Sequence, residues 1–340
     1  MKLITRKKNF YPVSGNLKHY LEQFGRLSQL PLDYEDLMRF DETLPVYDKD
    51  DNPTLWHTAI YPSQMVDEIE QKLTQIYAQI NAVGNTSTEH LSVDRVDICA
   101  YANSRPFRIR IINRFNDNYD HFYIKKADSS RIYGLELEGL LSPNRINYLV
   151  DGNTLIEEHI IGIPGDLFIA KHLKSGSLNK VRLAKEFVKF NERCFVSLLG
   201  DMRSYNYIID VTQDIEEEQF RVRPIDFDQQ SFEGNLKVYL PQFYPENNDI
   251  VNLCMELLNP KTVKQYQNEE RSLIGRRFHY SHEQIMRLIT CMSSDTISTP
   301  GNISQLKKSL ATHHKNPTFL KCKNMGEIVL QNILVLIEKV

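Results

Sequence analysis

The hydrophobic period of this chain changes along its length, and that change restricts the fold more than any other feature. Between residues 92 and 126 the segments VDICAYA, FRIRIIN and HFYIKKA are rich in β-branched and aromatic side chains. Polar turn segments, NSRP and RFNDNYD, separate them, so three successive antiparallel strands are expected. Farther on, LNKVRLAKEFVKFNERCFVSLL spaces its apolar residues by three and four over 22 residues, the pattern of one long amphipathic helix. A block of strands followed by helices implies an α+β chain.

The flanking segments extend this order. Residues 1–90 read as a helical and irregular extension, with NLKHYLEQFGRL amphipathic and Met65, Ile69, Leu73, Ile76 and Ile80 at helical spacing after a start at Pro62 and Ser63. GNTSTEH, residues 84–90, marks a break. SSRIYGLELEGLL is a short helix, and INYLVDGNTLIEEHI reads as two strands joined by a tight turn at Asp151-Gly152. Past Ile163-Pro164-Gly165-Asp166 the pattern turns helical. Two short strands, YIID and FRVRPIDF, flank an acidic insertion at 213–219, and from about residue 240 the chain is mainly helical.

Composition narrows the function. The 340 residues are 41% hydrophobic and 25% charged, enough to bury a core without disulfides or a structural metal. A net charge of −3 with no long basic run argues against nucleic acid as a partner. The N-terminal stretch has no apolar core of a secretion signal and no later run is long enough to span a membrane, so a cytoplasmic protein without membrane contact is expected. The five cysteines, Cys99, Cys194, Cys254, Cys291 and Cys322, are scattered and odd in number, which suits reduced thiols.

The residues suited to chemistry lie around the two short strands: Asp201, Asn206 and Asp226. Phosphoryl transfer needs a carboxylate to receive or orient a hydroxyl proton and oxygen ligands to hold magnesium against phosphates. Asp201 and Asn206, five apart in the loop after the long helix, are placed to converge on one pocket, and Asp226 sits at the end of the second strand.

Here the chain resembles the protein-kinase-like superfamily, and most closely its aminoglycoside phosphotransferase, choline kinase and fructosamine kinase branch. Gly200-Asp201-x-x-x-x-Asn206 is similar to that branch's GDxxxxN loop, and Ile225-Asp226-Phe227 to its IDF or IDW. The resemblance implies a two-lobed fold, with a small antiparallel-sheet lobe at 91–160 and a helical lobe at 161–340 behind the extension at 1–90. It implies that Asp201 is the catalytic base, that Asn206 and Asp226 are magnesium ligands, and that Asp228 assists as a second carboxylate. Lys125 would hold the α/β-phosphates of ATP and Glu136 would be its ion-pair partner, with Lys126 and Glu138 as alternatives in register. EEHIIGIPG, residues 157–165, is similar to the E-x-x-x-G-x-x-G stretch that joins the lobes, where backbone groups at Glu158 and Ile160 would bind adenine.

The function implied is ATP- and magnesium-dependent phosphotransfer to a hydroxyl of a small molecule. The chain departs from the family pattern in three places: the turn ANSRP before Lys125 holds no glycine, the histidine of the catalytic loop is missing, and residues 1–90 have no counterpart. The first two departures favour the alternative of a pseudokinase that binds nucleotide or a protein partner without catalysis. An atypical protein kinase is the third reading.

Overall fold

The computed structural model describes residues 8–81, 88–102, 104–175, 178–213 and 218–338. The chain forms two compact units, one of Pro12–Asp128 with Ile146–His159 and one of Met1–Tyr11, Ser129–Arg145 and Ile160–Val340.

The first unit carries helices α1 (Gly15–Gln23) and α2 (Tyr34–Leu37), strands β1 (Glu42–Tyr47) and β2 (Pro53–Ile60), and helix α3 (Ser63–Ile80). Strands β3 (Leu91–Ile98), β4 (Phe107–Asn113), β5 (Tyr119–Lys126), β6 (Tyr148–Asp151) and β7 (Thr154–Glu158) complete it. They make one seven-stranded sheet in the order β1-β2-β3-β4-β5-β7-β6, antiparallel at each step. Side chains alternate across a strand. Val96, Ile98, Phe107, Ile109, Ile111, Phe122, Ile124 and Ile156 therefore share a face, and they pack with Ile69, Leu73, Ile76 and Ile80 of α3. Each such buried side chain contributes about 1.5–3 kcal/mol. Strands β4 and β5, helix α3 and the existence of the hairpin β6–β7 match the sequence reading. Strand β3 takes in only the first three residues of VDICAYA, and the hairpin turns through Gly152 and Asn153, one residue later than Asp151-Gly152, because Asp151 pairs with Thr154.

The sheet begins earlier than the sequence reading placed it. Residues 1–90 are not a helical and irregular extension, because β1 and β2 form a hairpin that joins the sheet through β3. Two prolines obscure that signal: Pro45 lies in the edge strand β1 and Pro53 opens β2, the positions where a strand tolerates a residue without an N–H. Residues 84–87 of the expected break lie outside the described residues.

The second unit holds α4 (Ser129–Leu141), β8 (Ile163–Pro164), α5 (Gly165–Lys171), α6 (Lys180–Ser197), β9 (Tyr207–Gln213) and β10 (Glu218–Pro224). The helices α7 (Asn248–Leu257), α8 (Pro260–Tyr280), α9 (His282–Ser294), α10 (Pro300–His314) and α11 (Met325–Ile337) follow. Asn179 caps α6 by accepting from the Arg182 amide at 3.2 Å. The helix ends where Leu198 turns left-handed at φ 55°. A three-stranded antiparallel sheet, β10-β9-β8, lies beyond it, and the connection 214–217 of the acidic insertion lies outside the described residues.

Helix α4 groups with this helical unit and not with the sheet. Its small residues explain this. A Cβ on Gly134 would stand 3.0 Å from Phe227 and 3.2 Å from Gln230, and Ser130 Oγ donates to the Gln230 carbonyl at 3.0 Å. Antiparallel sheet in one unit and mostly helix in the other is the expected α+β class. Among the described residues no helix is long and apolar enough to cross a membrane. The five cysteines are unbridged.

Candidate active site

The loop after α6 is held from several sides. Asp201 takes a left-handed backbone with φ 60°, uncommon for a residue other than glycine and of the kind that collects at functional sites. Its amide donates to the Val238 carbonyl at 3.2 Å and to the Tyr244 hydroxyl at 3.1 Å. A short 3-10 turn, Ser204–Asn206, brings the chain back. Asn206 Nδ2 donates to the Asp201 carbonyl at 2.7 Å and faces its Oδ2 at 3.5 Å. The Ile225 amide donates to the Asn206 carbonyl at 3.0 Å, tying the segment that carries Asp226 to the same loop. Asn247 Nδ2, donating to the Met202 carbonyl at 2.9 Å, braces the loop from behind.

Burial of Asp201 pushes its carboxyl up to about 6, the Arg203 guanidinium opposes that rise, and the Asp226 and Glu246 carboxylates add to it. Arg203 Nε donates to Asp201 Oδ1 at 2.8 Å and Nη1 to Glu246 Oε1 at 2.7 Å, over the ring of Tyr244. A carboxylate in this condition takes up a proton more readily than an ordinary aspartate.

Asp226 and Asp228 meet a cation from α4. The Arg131 side chain, 2% exposed, donates through Nη1 to Asp226 Oδ1 and Asp228 Oδ1, each at 2.9 Å. Its Nη2 donates to the Ile225 carbonyl at 3.3 Å, and the Asp228 amide donates to Asp226 Oδ1 at 2.9 Å. Among the described residues no group of three or more His, Cys, Asp or Glu side chains is placed to hold a metal ion. Two carboxylates and the Asn206 amide oxygen are nonetheless the hard oxygen donors that magnesium takes, so the residues fit that ion in chemistry. Asn206, Asp226 and Asp228 would hold it.

Lys125 belongs to the sheet-bearing unit. It is buried on β5 and donates through Nζ to Glu157 Oε2 of β7 at 2.7 Å, and it lies over the Tyr123 ring. Lys126, on the opposite face, is 40% exposed and 3.8 Å from Glu35. The alternation therefore buries Lys125 and not its neighbour. Glu136 and Glu138 of α4 are both buried. Glu136 accepts from Gln284 Nε2 at 3.5 Å, whereas Glu138 Oε1 accepts from Ser142 Oγ at 2.6 Å and Asn144 Nδ2 at 2.8 Å. Glu158 binds the Asn147 amide and side chain, both at 2.8 Å, and the chain passes from one unit to the other between His159 and Ile160, within the stretch read as a hinge.

Arg131, Glu157, Tyr244 and Glu246 escaped the sequence reading. A single arginine in SSRIYGLELEGLL carries one faint signal, the one basic residue in a helix whose other residues are serine, glycine, apolar or acidic.

No protein-family model matches the chain, and no curated protein matches it. Among solved structures it is similar to Rad53 1-466 in complex with AMP-PNP at 13% identity, over 74% of this chain and 62% of that one, with a TM-score of 0.25. The chain thus spans less than two thirds of that protein's length. It is also similar to the PAN3 pseudokinase of Neurospora crassa at 9% identity, over 82% of this chain and 70% of that one, with a TM-score of 0.20. A mutant of that pseudokinase overlaps 96% of this chain and 70% of its own at the same identity and TM-score. The elements themselves, not these overlaps, define the fold.

Proposed function

We propose that this chain is a protein-kinase-like phosphotransferase of the small-molecule branch, passing the γ-phosphoryl group of ATP to a hydroxyl of a small molecule. The observation that carries this reading is the closed Asp201–Asn206 loop, which holds a buried carboxylate in a left-handed backbone and ties it to the Asp226 segment. In the reaction the acceptor oxygen forms a bond to the γ-phosphorus and the bond to the β,γ-bridging oxygen breaks. ADP leaves, and the hydroxyl proton passes to the Asp201 carboxylate. Arg203 orients that carboxylate through its Nε bond. Lys125, paired with Glu157, is the side chain this reading assigns to the α/β-phosphates, and the backbone at Glu158 and Ile160 to adenine. Magnesium bound by Asn206, Asp226 and Asp228 would neutralise phosphate charge. The five scattered thiols suit a cytoplasmic setting, where ATP and magnesium are supplied.

Release of ADP from ATP and magnesium by the purified chain, in the presence of a panel of small hydroxylated acceptors, tests the reading. Turnover is expected to fall by about 10²–10⁴-fold in Asp201→Asn. Equal turnover in the variant and the parent chain would sink it.

A second reading, a pseudokinase that binds nucleotide or a protein partner without catalysis, is favoured by one observation: Arg131 stands where Asp226 and Asp228 would face a metal ion. A thermal-shift titration with ATP separates the two. Stabilisation by ATP alone, with no further effect of magnesium and no turnover, supports the second reading.

A further inference from the structure

Two carboxylates that approach one another repel, and each raises the other's proton affinity unless a cation lies between them. At Asp226 and Asp228 that cation is supplied by the chain. Nη1 of Arg131 is 2.9 Å from Oδ1 of both, and Nη2 reaches the Ile225 carbonyl at 3.3 Å. The guanidinium is rigid, planar and always charged, so once aimed it holds its partners in a fixed fork. Its aim is set by helix packing. Ser130 is hydrogen-bonded to the Gln230 carbonyl, and Gly134, one turn along α4, lets the helix approach Phe227 and Gln230. Arg131 thus enters the 225–230 segment from a helix that has little room to shift.

We infer that Arg131 is a built-in counter-cation at the Asp226–Asp228 pair, and that divalent metal ions bind this pair only in competition with its guanidinium. The inference deepens the phosphotransfer reading and rests on it for the view that Asp226 faces the metal. A metal ion gaining these carboxylates leaves a buried guanidinium without them, which is strongly unfavourable. The parent chain consequently has weak affinity for metal alone, and removing the arginine's charge raises it.

The test is Mn²⁺ binding to the full chain without nucleotide, followed by the electron paramagnetic resonance signal of free Mn²⁺. Arg131→Gln is expected to bind at least about tenfold more tightly than the parent chain, and Asp226→Asn in that background to abolish the gain. Arg131→Lys, which keeps a charge but reaches the two carboxylates as a single point, is expected to fall between them and serves if the glutamine variant does not fold. Equal or weaker binding by a folded variant, judged by circular dichroism, overturns the inference. Turnover is measured in parallel. A gain of Mn²⁺ binding without any Asp201-dependent turnover leaves the counter-cation standing and removes the phosphotransfer reading. Asp201-dependent turnover with unchanged Mn²⁺ binding does the reverse.

Discussion

Asn206 Nδ2 donates to the backbone carbonyl of Asp201 at 2.7 Å, so the side chain expected to hold metal also closes the loop that carries Asp201, the proposed base. Two roles in one amide make Asn206→Ala informative. Loss of one hydrogen bond is expected to lower stability by about 1 kcal/mol. If the loop geometry serves phosphotransfer, turnover should drop at least about 10²-fold. Urea unfolding and ADP release measure the two effects. A variant that loses stability and keeps full turnover would confine Asn206 to a structural role.

Lys125 and Glu157 form a buried pair, with side chains 8% and 5% exposed. Truncating one member takes a short charged contact from the other's buried charge, so Lys125→Met and Glu157→Gln should each destabilise the sheet-bearing unit by about 1–3 kcal/mol. The double variant should cost clearly less than the sum of the two, because the contact between them is lost only once. Additive costs in a urea-unfolding cycle would mean that the pair is uncoupled.

Gly165 opens α5, and a Cβ there would run into the Tyr207 ring and the Ser204 carbonyl. Gly165→Ala is therefore expected to cost about 1–3 kcal/mol by overpacking. In α4, Gly139 has nothing within 4 Å of an added Cβ, and Gly139→Ala should stabilise by about 0.5–1 kcal/mol through helix propensity. Thermal melts that shift in opposite directions for the two alanines bear out this contrast.

His121 is pushed down to about 4, first by burial and then by the nearby Arg108, His159 and Arg110, with Asp120 opposing. Burial also lowers His159, whose ring lies 5.4 Å from that of His121. The unfolded chain binds a proton near the ordinary value of 6.5 that the folded ring refuses. Stability contributed by the neutral ring is thus present above pH 6.5 and is lost as pH falls toward about 4. His121→Gln should flatten that acid limb in denaturant unfolding followed across this range. An unchanged limb would show that the ring titrates normally.

Much of the fold was legible because local pattern and tertiary demand agree. Helix α3 begins at Ser63, and Ile69, Leu73, Ile76 and Ile80 are its buried face. Ser129–Leu141 is helical over the full span read from SSRIYGLELEGLL, and the strands β4 and β5 fall where FRIRIIN and HFYIKKA place them. The hairpin β1–β2 was hidden by Pro45 and Pro53, which weaken a strand signal even where an edge position accepts them.

By itself, the sequence determined the succession of strands and helices beyond residue 90 and the placing of Asp201, Asn206 and Asp226 around one helix end and one hairpin, since periodicity and turn chemistry are local properties. The tertiary structure alone decided what those side chains meet. Arg131 and Asp226 are separated by 95 positions, and Lys125 and Glu157 by 32. No local rule couples residues so far apart. Packing aims a buried charge at its partner: the approach of α4 at Gly134 selects Arg131 as the cation of Asp226 and Asp228, and the register of β5 against β7 selects Glu157 as the partner of Lys125.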